Sequence, residues 1–200
     1  MFVQVLEGRV NDVEGLRAQL DRWRAELAPG AAGFLGATAG TTADGNFISL
    51  VRFESEEAAR ANSDRPEQGE WWAATSGLYD GDVTFTNCPE VDTFGAGGSD
   101  DAGFVQVMKG RADRSALQAV AAETEALLQR SRPDVLGGTV AWPGDGTFIQ
   151  TVYFTSEAEA RANEGREPAT DEEREAWERI GSAMQVDTFI DISDPWLVSA

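Results

Sequence analysis

The residues in this chain that could do chemistry are few, and most of them come in pairs about one hundred residues apart. Gln4 and Gln106 each interrupt an apolar run, Phe-Val-Gln-Val. Asn62 and Asn163 close two copies of an Ala-Arg-Ala-Asn segment, with Arg60 and Arg161 inside them and Arg65 and Arg166 just beyond. Trp72 and Trp177 follow further along, and Arg52 in one copy stands where Tyr153 stands in the other. An amide buried in an apolar strand must find a hydrogen-bond partner, so each Gln either lines a pocket or bonds across a strand edge. The two Asn can cap their helices, the two Trp can pack a core or wall a cavity, and Arg60 and Arg161 suit ion pairs or solvent.

Composition excludes several classes of activity. The chain has no histidine and one cysteine, Cys88. Imidazole acid–base work, Ser-His-Asp and Cys-His catalysis, His-ligated haem and most catalytic zinc sites are therefore out of reach. Neither the dinucleotide glycine fingerprint nor the phosphate-loop pattern occurs. Lys and Arg number 16 against 35 Asp and Glu, a net charge of −19. Such a field repels phosphate backbones and anionic lipid, so neither nucleic acid nor a membrane is expected as a partner. Met1 leads directly into a strand-like run, and the lone cysteine fits a reducing compartment, so the expected location is cytoplasmic.

The elements that must position these residues come from a duplication. Asp44–Asn62 recurs as Asp145–Asn163, with 12 of 19 positions identical, and Phe2–Arg9 recurs as Phe104–Arg111 with six of eight. Each copy opens with a strand that stops at glycine. A helix follows, with an apolar stripe of Val13, Leu16, Leu20, Trp23 and Leu27 in the first copy and Leu117, Val120, Leu127 and Leu128 in the second. A short glycine-rich strand, an Asp-Gly hairpin and a third strand come next, then Ser55 or Ser156 as a helix N-cap. A Pro-interrupted helix with its Trp and a fourth strand complete the unit. This is β-α-β-β-α-β, the ferredoxin-like unit, with strand order 4-1-3-2 and both helices on one sheet face.

The expected organisation is α+β: a first unit over 1–95, a Gly/Ser/Asp linker at 96–103 and a second unit over 104–200. Strands one and three carry apolar residues on both faces, so the two antiparallel sheets are expected to pack together as an intrachain dimeric α+β barrel. The chain would then be a monomer acting as its own pseudo-dimer. After each fourth strand an apolar segment, with Phe94 or Trp196 as its anchor, is expected to cross to the opposite unit.

The tandem units, the Phe-Val-Gln-Val strand, the Asp-Gly hairpin into Phe-Ile-x-x-Val-x-Phe and the Ser-Glu-x-x-Ala-Arg-Ala-Asn helix resemble the dimeric α+β barrel superfamily. Within it, the closest likeness is to antibiotic-biosynthesis-monooxygenase domains. The resemblance implies a pocket between sheet and helices for a small aromatic, phenolic, polyketide-like molecule. It also implies cofactor-independent monooxygenase or oxidase chemistry with O₂, because a phenolate can pass an electron to O₂ directly. On that likeness Tyr153, Asn163 and Arg166 are the expected catalytic groups. Gln4, Arg52, Asn62, Trp72, Gln106, Gln150 and Trp177 are the expected substrate-binding residues, with no metal and no cofactor. A non-redox cyclase or isomerase, or a non-catalytic small-molecule-binding or interaction protein, stays open beside it.

Overall fold

The computed structural model describes residues 1–200. In chain order the first copy forms β1 (Phe2–Val10), α1 (Val13–Arg22), β2 (Phe34–Thr41), β3 (Asn46–Phe53), α2 (Glu56–Ser63), α3 (Pro66–Ser76) and β4 (Tyr79–Cys88). After β5 (Glu90–Gly95) the second copy forms β6 (Phe104–Ala112), α4 (Arg114–Ser131), β7 (Val135–Trp142), β8 (Thr147–Phe154), α5 (Glu157–Glu164), α6 (Asp171–Ser182) and β9 (Met184–Ile192). A last short strand, β10 (Trp196–Ser199), ends the chain.

Local chemistry accounts for these elements. The hairpins turn at Gly45 (φ 84°) and Gly146 (φ 82°), where a side chain would be strained. The Ser55 hydroxyl accepts the Ala58 amide at 3.1 Å and the Ser156 hydroxyl accepts that of Glu159 at 3.3 Å, each capping the following helix. The apolar stripe of α1 begins at Leu16, since Val13 is 46% exposed. It continues through a π-helical turn, Trp23–Leu27, and a 3₁₀ turn, Ala28–Gly30. The matching helix α4 runs unbroken for 18 residues.

Two five-stranded antiparallel sheets result, ordered β10-β2-β3-β1-β4 and β5-β7-β8-β6-β9. In each sheet the four strands of one copy follow the expected 4-1-3-2 order. The fifth comes from the other copy: β10 pairs with β2, Trp196 opposite Ala39, while β5 lies beside β7. The compact units are therefore Met1–Val91 with Asp194–Ala200, and Asp92–Ser193. Their limits fall where each exchanged strand begins rather than in the glycine-rich segment 96–103, because strand pairing outweighs composition.

The cores of the two units differ in bulk. The first is aromatic: Trp23 meets Phe34 at 4.9 Å and Phe34 meets Phe53 at 5.8 Å, with Trp71, Tyr79 and Trp196 in the same cluster. Strand register matches Phe34 to Val135 and Tyr79 to Met184. Trp71, next to Trp72, matches Ala176, next to Trp177. The second unit has two smaller clusters instead, around Phe104, Val152 and Phe154 and around Leu127, Ala176 and Ile180.

Trp196 is 4% exposed, and its indole N–H donates to Asp21 Oδ1 at 2.9 Å. Replacing Trp196 by Ala should lower unfolding free energy by about 3–5 kcal/mol, the usual cost of removing a buried aromatic. Urea unfolding of the full chain measures it, and a loss under about 1 kcal/mol would mean that β10 is frayed.

Candidate functional site

Each unit encloses a cavity between its sheet and its helices. In the second unit the volume is about 1030 Å³, and in the first about 270 Å³. Pockets for drug-sized molecules run to about 300–1,000 Å³, so the second unit holds the candidate site. Val135 and Met184 line it where strand register places the bulkier Phe34 and Tyr79 in the first unit. Small residues of α4, among them Ala121, Ala122 and Thr124, line the helical wall.

The sheet supplies the floor. Along β8, Gln150, Val152 and Phe154 face the cavity, as do Gln106 and Met108 from β6 and Trp142 from β7. The cavity runs from Asp92 on edge strand β5 to Asp191 on edge strand β9. Four strand spacings separate those edges, about 19 Å.

Polar groups mark both ends. Asp92 accepts two hydrogen bonds from Arg114, Nε at 2.8 Å and Nη2 at 3.0 Å, one from the Trp142 indole at 2.8 Å and one from Gln118 at 3.2 Å. Those bonds, led by the Arg114 guanidinium, hold the Asp92 carboxyl below the usual carboxylate range against partial burial. At the other end, Gln106 donates to Asp191 Oδ1 at 2.9 Å and Arg161 bonds Asp191 Oδ2. Arg161 also pairs with Glu164 at 3.1 Å and lies over the Phe104 ring at 5.1 Å. Its bonds to Glu164 and Asp191 push its guanidinium pKa upward.

Between these ends lies one buried atom without a partner. Gln150 Oε1 makes no hydrogen bond within the protein. A buried acceptor left unpaired costs about 1–3 kcal/mol, so this position favours a ligand that brings a donor.

The residues singled out in the sequence are distributed unevenly. Gln106, Gln150 and Trp177 line the large cavity, and Gln4, Asn62 and Trp72 line the small one. The three residues expected to be catalytic line neither cavity. Tyr153 is fully buried, and the two-residue alternation of β8 sends its side chain to the sheet face opposite Gln150. Arg52 shares that fate on β3, where it donates to the Thr38 hydroxyl at 2.9 Å. Asn163 turns back to the carbonyl of Glu159 at 3.0 Å. Arg166 spans the Ser131 carbonyl at 2.8 Å and Glu173 at 3.5 Å. Arg161 makes ion pairs, one of the two roles its helix position suggested, and it also lines the large cavity. Asp92, Gln118 and Trp142 had no signal at all, since their bonds join residues 26 and 50 positions apart.

The chain has the ferredoxin-like α+β fold, in tandem, and solved structures share it over nearly the whole chain. A provisionally assigned monooxygenase of Lactobacillus acidophilus NCFM superposes with a TM-score of 0.70 at 9% identity, covering 99% of both chains. A second, from Fusobacterium nucleatum, gives 0.71 at 7% identity, over 99% of this chain and 94% of that one. An anthrone oxidase-like protein gives 0.61 at 14% identity, over 98% and 93%. No family model matches the chain, and no curated protein sequence does. At these identities the likeness concerns the fold.

The depressed pKa of Asp92 has a defined consequence. Its folded value lies below its unfolded one, so the carboxylate stabilises the fold at neutral pH. That contribution fades as pH falls from about 4 toward the folded value. Asp92→Asn should thus lose stability at pH 7 and show a shallower fall in Tm than wild type on acidification below pH 4. Parallel curves over pH 7 to 3 would show that Asp92 carries no such linkage.

Proposed function

We propose that the second unit binds a flat phenolic molecule and oxidises it with O₂ without a cofactor. The observation that carries this reading is the 1030 Å³ cavity, walled by rings and aliphatic chains, with an unpaired Gln150 oxygen on its floor. A phenol or enol hydroxyl supplies the donor that this oxygen lacks. Once that hydroxyl ionises, the Gln150 amide can turn its N–H₂ toward the anion, because an amide offers both roles.

The reaction balances for an anthrone-type substrate. The ring methylene loses its proton to solvent water, and the resulting enolate passes one electron to O₂. The two radicals combine at that carbon as a hydroperoxide. Loss of water then leaves a carbonyl: one oxygen atom of O₂ stays in the quinone and the other departs in the water. The protein's share is to hold the plane of the molecule against Trp177 and to steady the anion at Gln150, with Arg161 nearby.

A second reading is favoured by one feature. The carboxylates of the cavity are all engaged, Asp92 by Arg114, Asp191 by Arg161, Glu164 by Arg161 and Glu125 by the Gly95 amide at 3.3 Å. With no carboxylate free to act as base, the same cavity would suit a protein that holds its ligand without turning it over.

Chelator-treated protein should consume O₂ with anthrone or naphthols and form quinone absorbance. Gln150→Ala should reduce kcat/KM about tenfold or more, the loss of about 1.4 kcal/mol of hydrogen bonding in the transition state. Activity that disappears on chelation or requires added flavin overturns the mechanism. A ligand-induced rise in Tm without O₂ uptake selects the second reading.

A further inference from the structure

The cavity of the first unit takes no part in that reaction, yet it is built rather than collapsed. About 270 Å³ stay open behind a wall of Trp23, Trp71, Trp72, Tyr79, Phe85 and Trp196. These rings brace one another: Trp72 lies 6.3 Å from Trp71, 6.1 Å from Tyr79 and 5.4 Å from Phe85. A wall of mutually packed rings resists closing on the empty volume, since each ring would have to abandon its neighbours to fill it.

Several polar groups around this cavity are bonded within the protein. Trp23 donates to Gln68 Oε1 at 2.8 Å, and Gln4 donates to Asn87 Oδ1 at 3.0 Å. Asn62 Oδ1 accepts from Arg65 at 2.9 Å. The indoles of Trp71 and Trp196 are bound to the Gln19 carbonyl and to Asp21, at 2.8 and 2.9 Å. Over most of this wall a guest meets ring faces and edges. This differs in kind from the second unit, where Gln150 waits for a donor.

Size narrows the guest further. A dry apolar cavity of about 150 Å³ accommodates benzene. A volume of 270 Å³ suits one ring or two fused rings, and the larger cavity has room to spare for three-ring skeletons. Trp71 and Tyr79 line this smaller space, and Tyr79 stands where the other copy has Met184.

We propose that the first unit is a second ligand site, selective for one-ring and two-ring aromatic molecules with at most one polar atom, indole being the model compound. The chain then carries two sites graded by guest size. This site stands on the geometry of the first unit and is independent of the oxidation assigned to the second.

Calorimetric titration of the full chain with indole and with 1-anthrol separates the two sites. Ser49 is buried on β3 with its side chain at the small cavity, so Ser49→Leu fills that cavity. It should weaken indole binding at least tenfold and leave 1-anthrol binding unchanged. Val140→Trp, on the β7 part of the floor beside Gln150, narrows the large cavity and should do the reverse, abolishing 1-anthrol binding while one indole site keeps its Kd. Ala37→Leu, also buried at the small cavity, repeats the first test if Ser49→Leu fails to fold by circular dichroism. The proposal is overturned if wild type binds no indole at millimolar concentration. It is equally overturned if Val140→Trp removes every indole site while the filled small cavity leaves indole binding intact. Indole binding without any 1-anthrol binding would leave this site standing and remove the phenol-binding reading of the second unit.

Discussion

A β-strand can send each side chain to only one of two faces, and in this protein that constraint decides which residues meet a ligand. On β8 it delivers Gln150, Val152 and Phe154 to the cavity and commits Ile149, Thr151 and Tyr153 to the other side. On β3 it separates Ser49, Val51 and Phe53 from Arg52 in the same way. Register makes the assignment rigid: Gln106 sits opposite Val152, and Gln4 opposite Val51, with the hairpin turns at Gly45 and Gly146 fixing the phase. A slip of one residue would exchange the faces and put Tyr153 where Gln150 is.

Given that floor, what lies over it sets capacity. In the first unit the roof and walls are packed with rings, and the void shrinks to 270 Å³. In the second, small residues on α4 leave atoms without neighbours on one side, which forfeits dispersion energy in the empty state. A guest that restores those contacts stabilises the folded chain by mass action. Exposed Phe85 and Phe189, at matching places on the outer strands β4 and β9, border the two cavities. Large apolar side chains left in water beside a cavity are the kind of surface that ligands cover.

Electrostatics favours a neutral guest. The net charge of −19 raises the cost of bringing an anion to this protein. Within the cavity, the carboxylates at each end are already neutralised by Arg114 and Arg161. What remains for recognition is hydrogen bonding at the floor and ring contact on the walls, which supports the proposed hydroxylated aromatic ligand over carboxylates or phosphates.

Much of the architecture was legible in the chain itself. The 101-residue repeat, the alternation of apolar residues, the Asp-Gly turns and the serine caps are local signals, and they dictate two ferredoxin-like units with strand order 4-1-3-2. The glutamines stood out because an amide in an apolar strand needs an explanation, and Gln106 and Gln150 lie at a cavity. Alternation on β8 was equally visible, but a strand does not announce which of its faces the helices will cover, so Tyr153 was placed with the ligand although it points away. Asp92, Trp142, Arg161 and Asp191 carry no mark of their own. Asp92 meets Trp142 through β5 lying beside β7, and Asp191 meets Arg161 across 30 residues. Local periodicity determines each element and its two faces; only the packing of helices and the exchanged strand decides which face closes over empty space, because that choice depends on contacts between residues far apart in the chain.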